Sequence, residues 1–149
     1  MDGAERYGEP MPNAVVWVDI PVKGMQRARM FYEQLLGNPI EEMPGSSGTS
    51  ALLMPMGTGS DTDVSADLAT AGSTMGFEGQ EIRMTEPSST HGPIIYLSAK
   101  DDIDGMLERA VKAGGTIHAP KQDFGQMGGW LALIVDTEGN LIGLSQSSE

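Results

Sequence analysis

The sequence predicts an α+β fold of two βαβββ modules, which form a curved mixed sheet around a cup with the helices outside. One βαβββ unit leaves a sheet face that it cannot bury alone, so two units are expected to share a surface. The order of strand, helix, glycine and short strand occurs twice. Its landmarks recur at a constant shift of 77 residues: Val22, Gly37 and Ile40 correspond to Ala99, Gly114 and Ile117.

The first module is predicted to span residues 14–86, after a flexible polar arm at 1–13. AVVWVDIPV (14–22) is rich in β-branched residues, which is typical of a strand. MQRARMFYEQLLG (25–37) places apolar side chains at helical spacing, and its final glycine suits a left-handed helix stop. The module therefore begins with a strand and a helix.

The rest of the first module has weaker patterns. NPIEEMP (38–44) and SALLMPM (50–56) are expected to form two short strands around a turn. Residues 57–76 lack periodicity and are interpreted as a loop, in which VSADLATA could form a short helix capped by Asp63. FEGQEIRMTE (77–86) alternates partly and is the last strand predicted for this module.

The second module is predicted at residues 93–146, within a single domain that covers 14–149. PIIYLSA (93–99) is a strand, and DIDGMLERAVKAG (102–114) is an amphipathic helix capped by Asp101 or Asp102. Three further strands follow, the last two joined by the turn TEGN: TIHAP (116–120), GWLALIVD (129–136) and LIGLSQ (141–146).

Composition excludes several classes of function. The 149 residues carry a formal charge of −12, which repels nucleic acids and anionic membrane surfaces. There is no cysteine, which removes disulfides and thiolate sites, and two histidines are too few for a three-histidine zinc site. No apolar stretch reaches the length of a membrane span and no signal sequence is visible, so a cytoplasmic protein is expected.

Three segments carry a resemblance to a known family: WVDIPVKGMQRARMFYEQLLG, IYLSAKDDIDGMLERAVKAGG and GGWLALIVDTEGNLIGL. They resemble the vicinal oxygen chelate superfamily, which includes glyoxalase I, extradiol dioxygenases, and fosfomycin- and bleomycin-resistance proteins. The resemblance implies two modules around one cup, built within a chain or across a twofold dimer, and we expect a homodimer. It does not identify a reaction, because this scaffold hosts isomerases, dioxygenases, transferases and binding proteins.

In the enzymes of that superfamily, residues on the first and last strands of each module hold a metal ion. The resemblance places Trp17, Ile94 and Gly143 at three of these four positions, and none of them offers a suitable ligand atom. A catalytic metal needs about three protein ligands. We therefore predict no metal, no cofactor and no catalytic residue of the family type. Candidates for the fourth position are Glu78, Glu81 and Glu86.

Strand alternation then assigns the side chains that line the cup. An indole, a phenol, aliphatic groups and one carboxylate suit an aromatic ligand with a polar or cationic group. The alternative is that the aromatic side chains only fill the space of the former metal site. The predicted ligand-binding residues are Trp17, Asp19, Ile94, Tyr96, Ser98 and Gly143, with Trp130 at the rim.

Three functional hypotheses follow. The first is a metal-free protein of the glyoxalase/bleomycin-resistance type that sequesters a partly aromatic small molecule. The second is a metal-dependent lyase, isomerase or dioxygenase that uses ligands outside the family positions, such as His91, His118 and Glu81. The third is a subunit whose cup is only an interaction surface. The composition of the ligand positions favours the first.

Overall fold

The computed structural model of the protein describes residues 14–15, 17–42, 50–52, 65–72, 74–77, 80–83 and 85–147. A first sheet contains β1 (Trp17–Val22), β2 (Ser50–Leu52) and β3 (Ser65–Thr70). Their order is β1-β3-β2, with β1 parallel and β2 antiparallel to β3. The hairpin of β4 (Thr74–Phe77) and β5 (Gln80–Arg83) forms a separate two-stranded sheet.

A second sheet contains β6 (Ile95–Ser98), β7 (Thr116–Asp123), β8 (Trp130–Val135) and β9 (Leu141–Gln146). Their order is β6-β9-β8-β7, with β6 parallel to β9 and the other pairs antiparallel. The helices are α1 (Met25–Leu36), α2 (Ile103–Lys112) and the single turn α3 (Gly125–Gly128). The protein is therefore an α+β protein, as the sequence predicts.

The helices α1 and α2 begin and end where the sequence indicates. Gly37 adopts φ 74°, the left-handed conformation that ends α1 with little strain. The carboxylate of Asp102 accepts a hydrogen bond from the amide of Gly105 at 2.9 Å and caps α2. Both helices contribute to one hydrophobic core that includes Ile20, Val22, Phe31, Tyr32, Leu97, Met106, Ile134 and Leu144.

The β8–β9 turn fastens the second sheet to α1 through buried polar side chains. The carboxylate of Glu138 accepts hydrogen bonds from the amides of Lys23 and Gly24 at 2.8 and 2.7 Å, and it pairs with Arg27 at 2.8 Å. Burial alone would raise the pKa of Glu138, but these donors outweigh it and lower the pKa to about 2. Glu138 is thus an ionised cap for the N-terminus of α1.

Two other side chains of the turn make similar links. The hydroxyl of Tyr32 donates to Asp136 at 2.5 Å, and the side-chain amide of Asn140 donates to the carbonyl of Pro21 at 2.8 Å. Burial, and then the charge of Asp136, raises the pKa of Tyr32 well above its usual value. The turn predicted at 137–140 therefore has an architectural role that its sequence did not reveal.

The structure corrects the prediction for residues 57–76. That stretch was expected to be a loop with a short helix, but residues 65–70 form β3, the parallel partner of β1. The sequence pattern failed because Ala66, Asp67, Leu68 and Ala69 are all buried, so the central strand shows no alternation. Asp63, the expected cap, lies outside the described residues.

The other weak predictions have mixed outcomes. The strand expected at 77–86 is divided between β4 and β5, and residues 38–41 form no strand. The predicted arm at 1–13 and much of the predicted strand at 50–56 lie outside the described residues. Among the described residues, no helix is both long and apolar enough to cross a lipid bilayer.

Candidate functional site

The two sheets carry a surface that does not pack on the helices, which we call the open face. Val18, Ile20 and Val22 of β1 pack on the core, so Trp17 and Asp19 point the other way. In the second sheet, Leu97, Ile142 and Leu144 pack on the core. The side chains on the open face therefore include Ile94, Tyr96, Ser98 and Ser145, with Gly143 between them.

Two carboxyl groups, which we call the acid pair, meet on the open face of the first sheet. Asp19 of β1 lies directly opposite Asp67 of β3, and their side chains are within hydrogen-bonding reach. The indole Nε1 of Trp17 donates to Oδ1 of Asp19 at 2.9 Å. Asp67 is only 4% exposed, and no group among the described residues hydrogen-bonds to its Oδ1.

The environment of Asp67 disfavours a second negative charge. Burial, followed by the hydrogen bond and the charge of Asp19, raises the pKa of Asp67 to about 7, although a hydrogen bond from Trp17 opposes the increase. Asp67 therefore keeps its proton through much of the range below neutral pH.

An aromatic ring occupies the corresponding place in the second sheet. Tyr96 of β6 lies opposite Gly143 of β9, as Asp19 lies opposite Asp67. Asp19 and Tyr96 are separated by 77 residues, the predicted shift of the repeat. A Cβ at position 143 would stand 2.5 Å from Cε1 of Tyr96, so the ring lies against the glycine backbone.

An open cavity of about 620 Å³ adjoins this ring. Its walls include the predicted ligand-binding residues Tyr96 and Ser98, together with Lys100 and Gln126. Tyr96 is 46% exposed, so its phenol is accessible to a ligand. The volume lies in the range of sites that bind drug-sized molecules.

A second cavity of about 240 Å³ lies between β1 and the segment 85–95, and we call it the seam cavity. Its wall contains Asp19 of the acid pair, and Glu86 and His91 lie across from β1 in the same lining. Ile94 lines a smaller neighbouring cavity of about 110 Å³ with residues 88–93.

The structure does not bring Trp130 to the open face. Trp130 shares a strand face with Ala132 and Ile134 and packs against the core. Its ring also lies beneath Lys121, whose Nζ is 4.7 Å from the ring centroid. The sequence expectation of a rim position failed because GWLALIVD is apolar on both faces, so alternation could not choose between them.

The residues proposed for a non-standard metal site are not assembled. His91 lies in an exposed turn where its Nδ1 is 2.8 Å from the hydroxyl of Thr90, and His118 is exposed on β7. Glu81 belongs to β5, and Glu78 lies outside the described residues. The described part of the chain contains no cluster of three or more potential metal-ligating side chains.

The sequence model of the glyoxalase/bleomycin resistance protein/dioxygenase superfamily matches residues 14–144. The chain belongs to this superfamily. The match runs from before β1 into β9 and includes both long helices, so membership rests on most of the chain rather than on one motif.

Three proteins that are similar to this chain are informative. The anthracycline biosynthesis protein DnrV from Streptomyces peucetius is 30% identical over 83% of this chain, and the putative glyoxylase CFP32 from Mycobacterium bovis is 25% identical over 99%. The chain spans 38% and 50% of the lengths of these two proteins. TnmS3, an antibiotic binding protein from a Streptomyces species, is 27% identical with a TM-score of 0.57, covering 91% of this chain and 97% of TnmS3.

The side chains of this superfamily member do not fit the metal site that the family resemblance implies. Trp17 and Ile94 offer no ligand atom, and the ring of Tyr96 covers the backbone at Gly143. The parallel pairing of β1 with β3 places Asp67 at the fourth position, in place of Glu78, Glu81 or Glu86. One buried carboxyl that hydrogen-bonds to its neighbour is a poor substitute for three ligands.

Asp67 is the open-face residue that sequence reasoning missed. The repeat contains a signal for this residue. Subtracting the repeat shift of 77 from Gly143 gives position 66, and the residue that the structure places there is Asp67, one position later. Ser, Ala and Asp have low strand propensity, and that composition concealed β3. The strand β3 is instead stabilised by pairing with β1 on one side and β2 on the other.

Proposed function

We propose that the protein is a metal-free binding protein of the glyoxalase/bleomycin-resistance type that sequesters a planar, partly aromatic small molecule on its open face. The observation that carries the proposal is the ring of Tyr96, which covers Gly143 at a position where the family's enzymes have a metal ligand. The ring leaves an exposed aromatic surface beside a cavity of about 620 Å³.

The chemistry of the open face supports this ligand class. Trp17 and Tyr96 are 44% and 46% exposed, so both rings are accessible to a ligand. Each ring can stack on a planar ligand and add about 1 kcal/mol beyond the effect of buried area. Ser98, Ser145 and Gln126 supply hydrogen-bonding groups around Tyr96.

The names of two relatives agree with an aromatic natural product. DnrV is described as an anthracycline biosynthesis protein and TnmS3 as an antibiotic binding protein. Anthracyclines are planar polycyclic molecules, and their size suits the open cavity beside Tyr96. The name of TnmS3 favours binding, and the side chains of the open face do not support metal-dependent chemistry.

We also propose that the two sheets line one cup and that the protein is a homodimer. The strands β1 and β6 are edge strands among the described residues, so their outer backbone groups are open to pairing. A twofold partner would cover these edges. Light scattering at micromolar concentration should give twice the chain mass, and a monomer mass would contradict the dimer.

The proposed function is tested by calorimetric titration with doxorubicinone, an uncharged anthracycline aglycone. We expect saturable binding that Tyr96→Ala weakens about five-fold, since the stacking contribution is lost. Val111→Ala is the control, because Val111 is exposed on α2 and away from the open face. Absence of binding, or equal binding by the Tyr96→Ala protein, would contradict the proposal.

A further inference from the structure

The open cavity beside Tyr96 has a positively charged wall in a strongly acidic protein. Lys100 is the charged side chain among the described residues that line this cavity, and no aspartate or glutamate is among them. The whole chain carries a formal charge of −12, so the charge of this lining is opposite in sign to that of the protein. Within the described part of the chain, Lys100 forms no ion pair. Its ammonium group is therefore available to a ligand.

Ser98 adds a hydrogen-bond donor beside Lys100 in the same lining. Its Oγ accepts a hydrogen bond from the backbone amide of Lys100 at 3.1 Å. Because this contact uses only a lone pair of the hydroxyl oxygen, the O–H hydrogen can donate to another group. Ser98 is two residues from Tyr96 on the same face of β6, a separation of about 7 Å. The ammonium group and the hydroxyl can therefore both donate to one acceptor group of a ligand that stacks on Tyr96.

The backbone at Lys100 has an unusual conformation. Its φ is 54°, and among the described residues it is the only non-glycine with a positive φ. Two hydrogen bonds hold this turn: the amide of Ala99 donates to the carbonyl of Ser145 at 2.8 Å, and the amide of Asp102 donates to the carbonyl of Ala99 at 3.0 Å. A glycine would adopt the same conformation with less strain, so the lysine side chain is present at a cost in stability. Such a cost is expected where the side chain has a role in binding.

The nearby carboxylates line other cavities. Asp101 and Asp102 line a cavity of about 360 Å³ between α1 and α2, which Lys100 also borders. The carboxylate of Asp102 caps α2 and is 4.0 Å from the guanidinium of Arg109. Asp19, the carboxylate that the sequence places on the cup, belongs to the first sheet and lines the seam cavity. An anionic group beside Tyr96 would therefore meet Lys100 without a carboxylate in the described wall of the same cavity.

We propose that Lys100 is a specificity-determining residue, which selects planar aromatic ligands that carry an anionic oxygen group such as a carboxylate. The rings of the ligand stack on Tyr96, and the anionic group accepts hydrogen bonds from the ammonium group of Lys100 and the hydroxyl of Ser98. This inference rests on the proposed function, because it names the charge of the ligand that the same cavity would hold. The cavity is open to solvent, which screens the pair, so we expect a preference of about ten-fold.

The test compares anthraquinone-2-carboxylate with anthraquinone-2-carboxamide, which has the same planar rings without the charge. Calorimetric titration at neutral pH should give about ten-fold tighter binding of the carboxylate. Lys100→Met keeps the length of the side chain and should abolish this preference, while unchanged carboxamide binding shows that the cavity is intact. Lys100→Arg keeps the charge and should keep the preference. Added salt should weaken the binding of the carboxylate and not that of the carboxamide.

Lys112→Met is the matched control, because it removes the same charge from the exposed last turn of α2 and should leave the preference unchanged. Equal affinities for the two probes, or a carboxylate preference that persists in Lys100→Met, would overturn the inference. Titration with the uncharged doxorubicinone separates the two proposals, since Lys100→Met should not change its binding. If doxorubicinone binds and the carboxylate is not preferred, the role of Lys100 is wrong and the sequestering function stands. If none of the three compounds binds, both proposals are wrong.

Discussion

The ring of Tyr96 lies against the backbone of Gly143, so that a Cβ at position 143 would stand 2.5 Å from Cε1 and 2.7 Å from Cγ of the ring. In the other sheet, the equivalent strand pair carries Asp19 opposite Asp67. The same backbone arrangement therefore presents an aromatic surface in one half of the open face and an acid pair in the other.

Gly143→Ala should destabilise the protein by about 1–3 kcal/mol, because the added methyl group displaces the ring of Tyr96. Gly143 does not have a positive φ, so backbone strain is not the cause. Urea denaturation of Gly143→Ala, Tyr96→Ala and the double variant measures the coupling. In the Tyr96→Ala background most of the cost should disappear, and fully additive effects would contradict the contact.

Asp67 should make the protein less stable as the pH rises. The pKa of Asp67 is about 7 in the folded protein, against an ordinary value of 3.8 that applies to the unfolded chain. Between these two pH values the folded state therefore binds more protons than the unfolded state. Its contribution is fully present below pH 4 and is lost as the pH rises through 7. Between pH 5 and 8 the free energy of unfolding should fall by about 2 kcal/mol more than in Asp67→Asn. Parallel pH profiles for the two proteins would contradict a buried Asp67 with a raised pKa.

Glu138 should have the opposite effect in acid. Its folded pKa of about 2 lies below the ordinary value of 4.5, so its contribution is present above pH 4.5 and is lost as the pH falls toward 2. Glu138→Gln should cost about 2 kcal/mol at pH 7 and much less near pH 2. Thermal unfolding across this range checks the prediction, with exposed Glu108→Gln as the control. A pH-independent cost would show that the carboxylate charge is not what fastens α1.

Purified protein should contain substoichiometric amounts of nickel, zinc, manganese and iron, because Trp17, Ile94 and Gly143 cannot ligate them. Elemental analysis and melting curves with added metal or chelator measure this directly. An ion at 100 times its dissociation constant would add about 2.7 kcal/mol of stability, which is easily detected. A stoichiometric ion that chelator removes with a loss of stability would contradict the metal-free account.

The sequence predicts the elements whose two faces differ. The core-facing stripes of α1 and α2, and the alternation of Val18, Ile20 and Val22 in β1, specify which side is buried. From these, the open-face positions of Trp17, Asp19, Tyr96 and Gly143 follow by counting along the strands. The segments that carry the family resemblance include these same strands and helices.

The sequence does not predict elements that are buried on both faces or held by distant partners. β3 is central in its sheet and has no alternation, so Asp67 and the acid pair could not be seen without the pairing of β1 and β3. The face of Trp130 was equally undetermined, since β8 is apolar throughout. The role of Glu138 depends on residues more than 100 positions away, which no local pattern encodes.

The central claim is that a planar aromatic ligand binds the open face between Trp17 and Tyr96. The most direct measurement is doxorubicinone titration of Trp130→Phe protein by tryptophan fluorescence, corrected for inner-filter loss with free N-acetyltryptophanamide. The account predicts saturable quenching of Trp17, and calorimetric affinity that falls about five-fold in Trp17→Ala. Unquenched Trp17 emission at ligand concentrations that saturate the calorimetric signal, or unchanged affinity in Trp17→Ala, would place the ligand elsewhere and contradict the account.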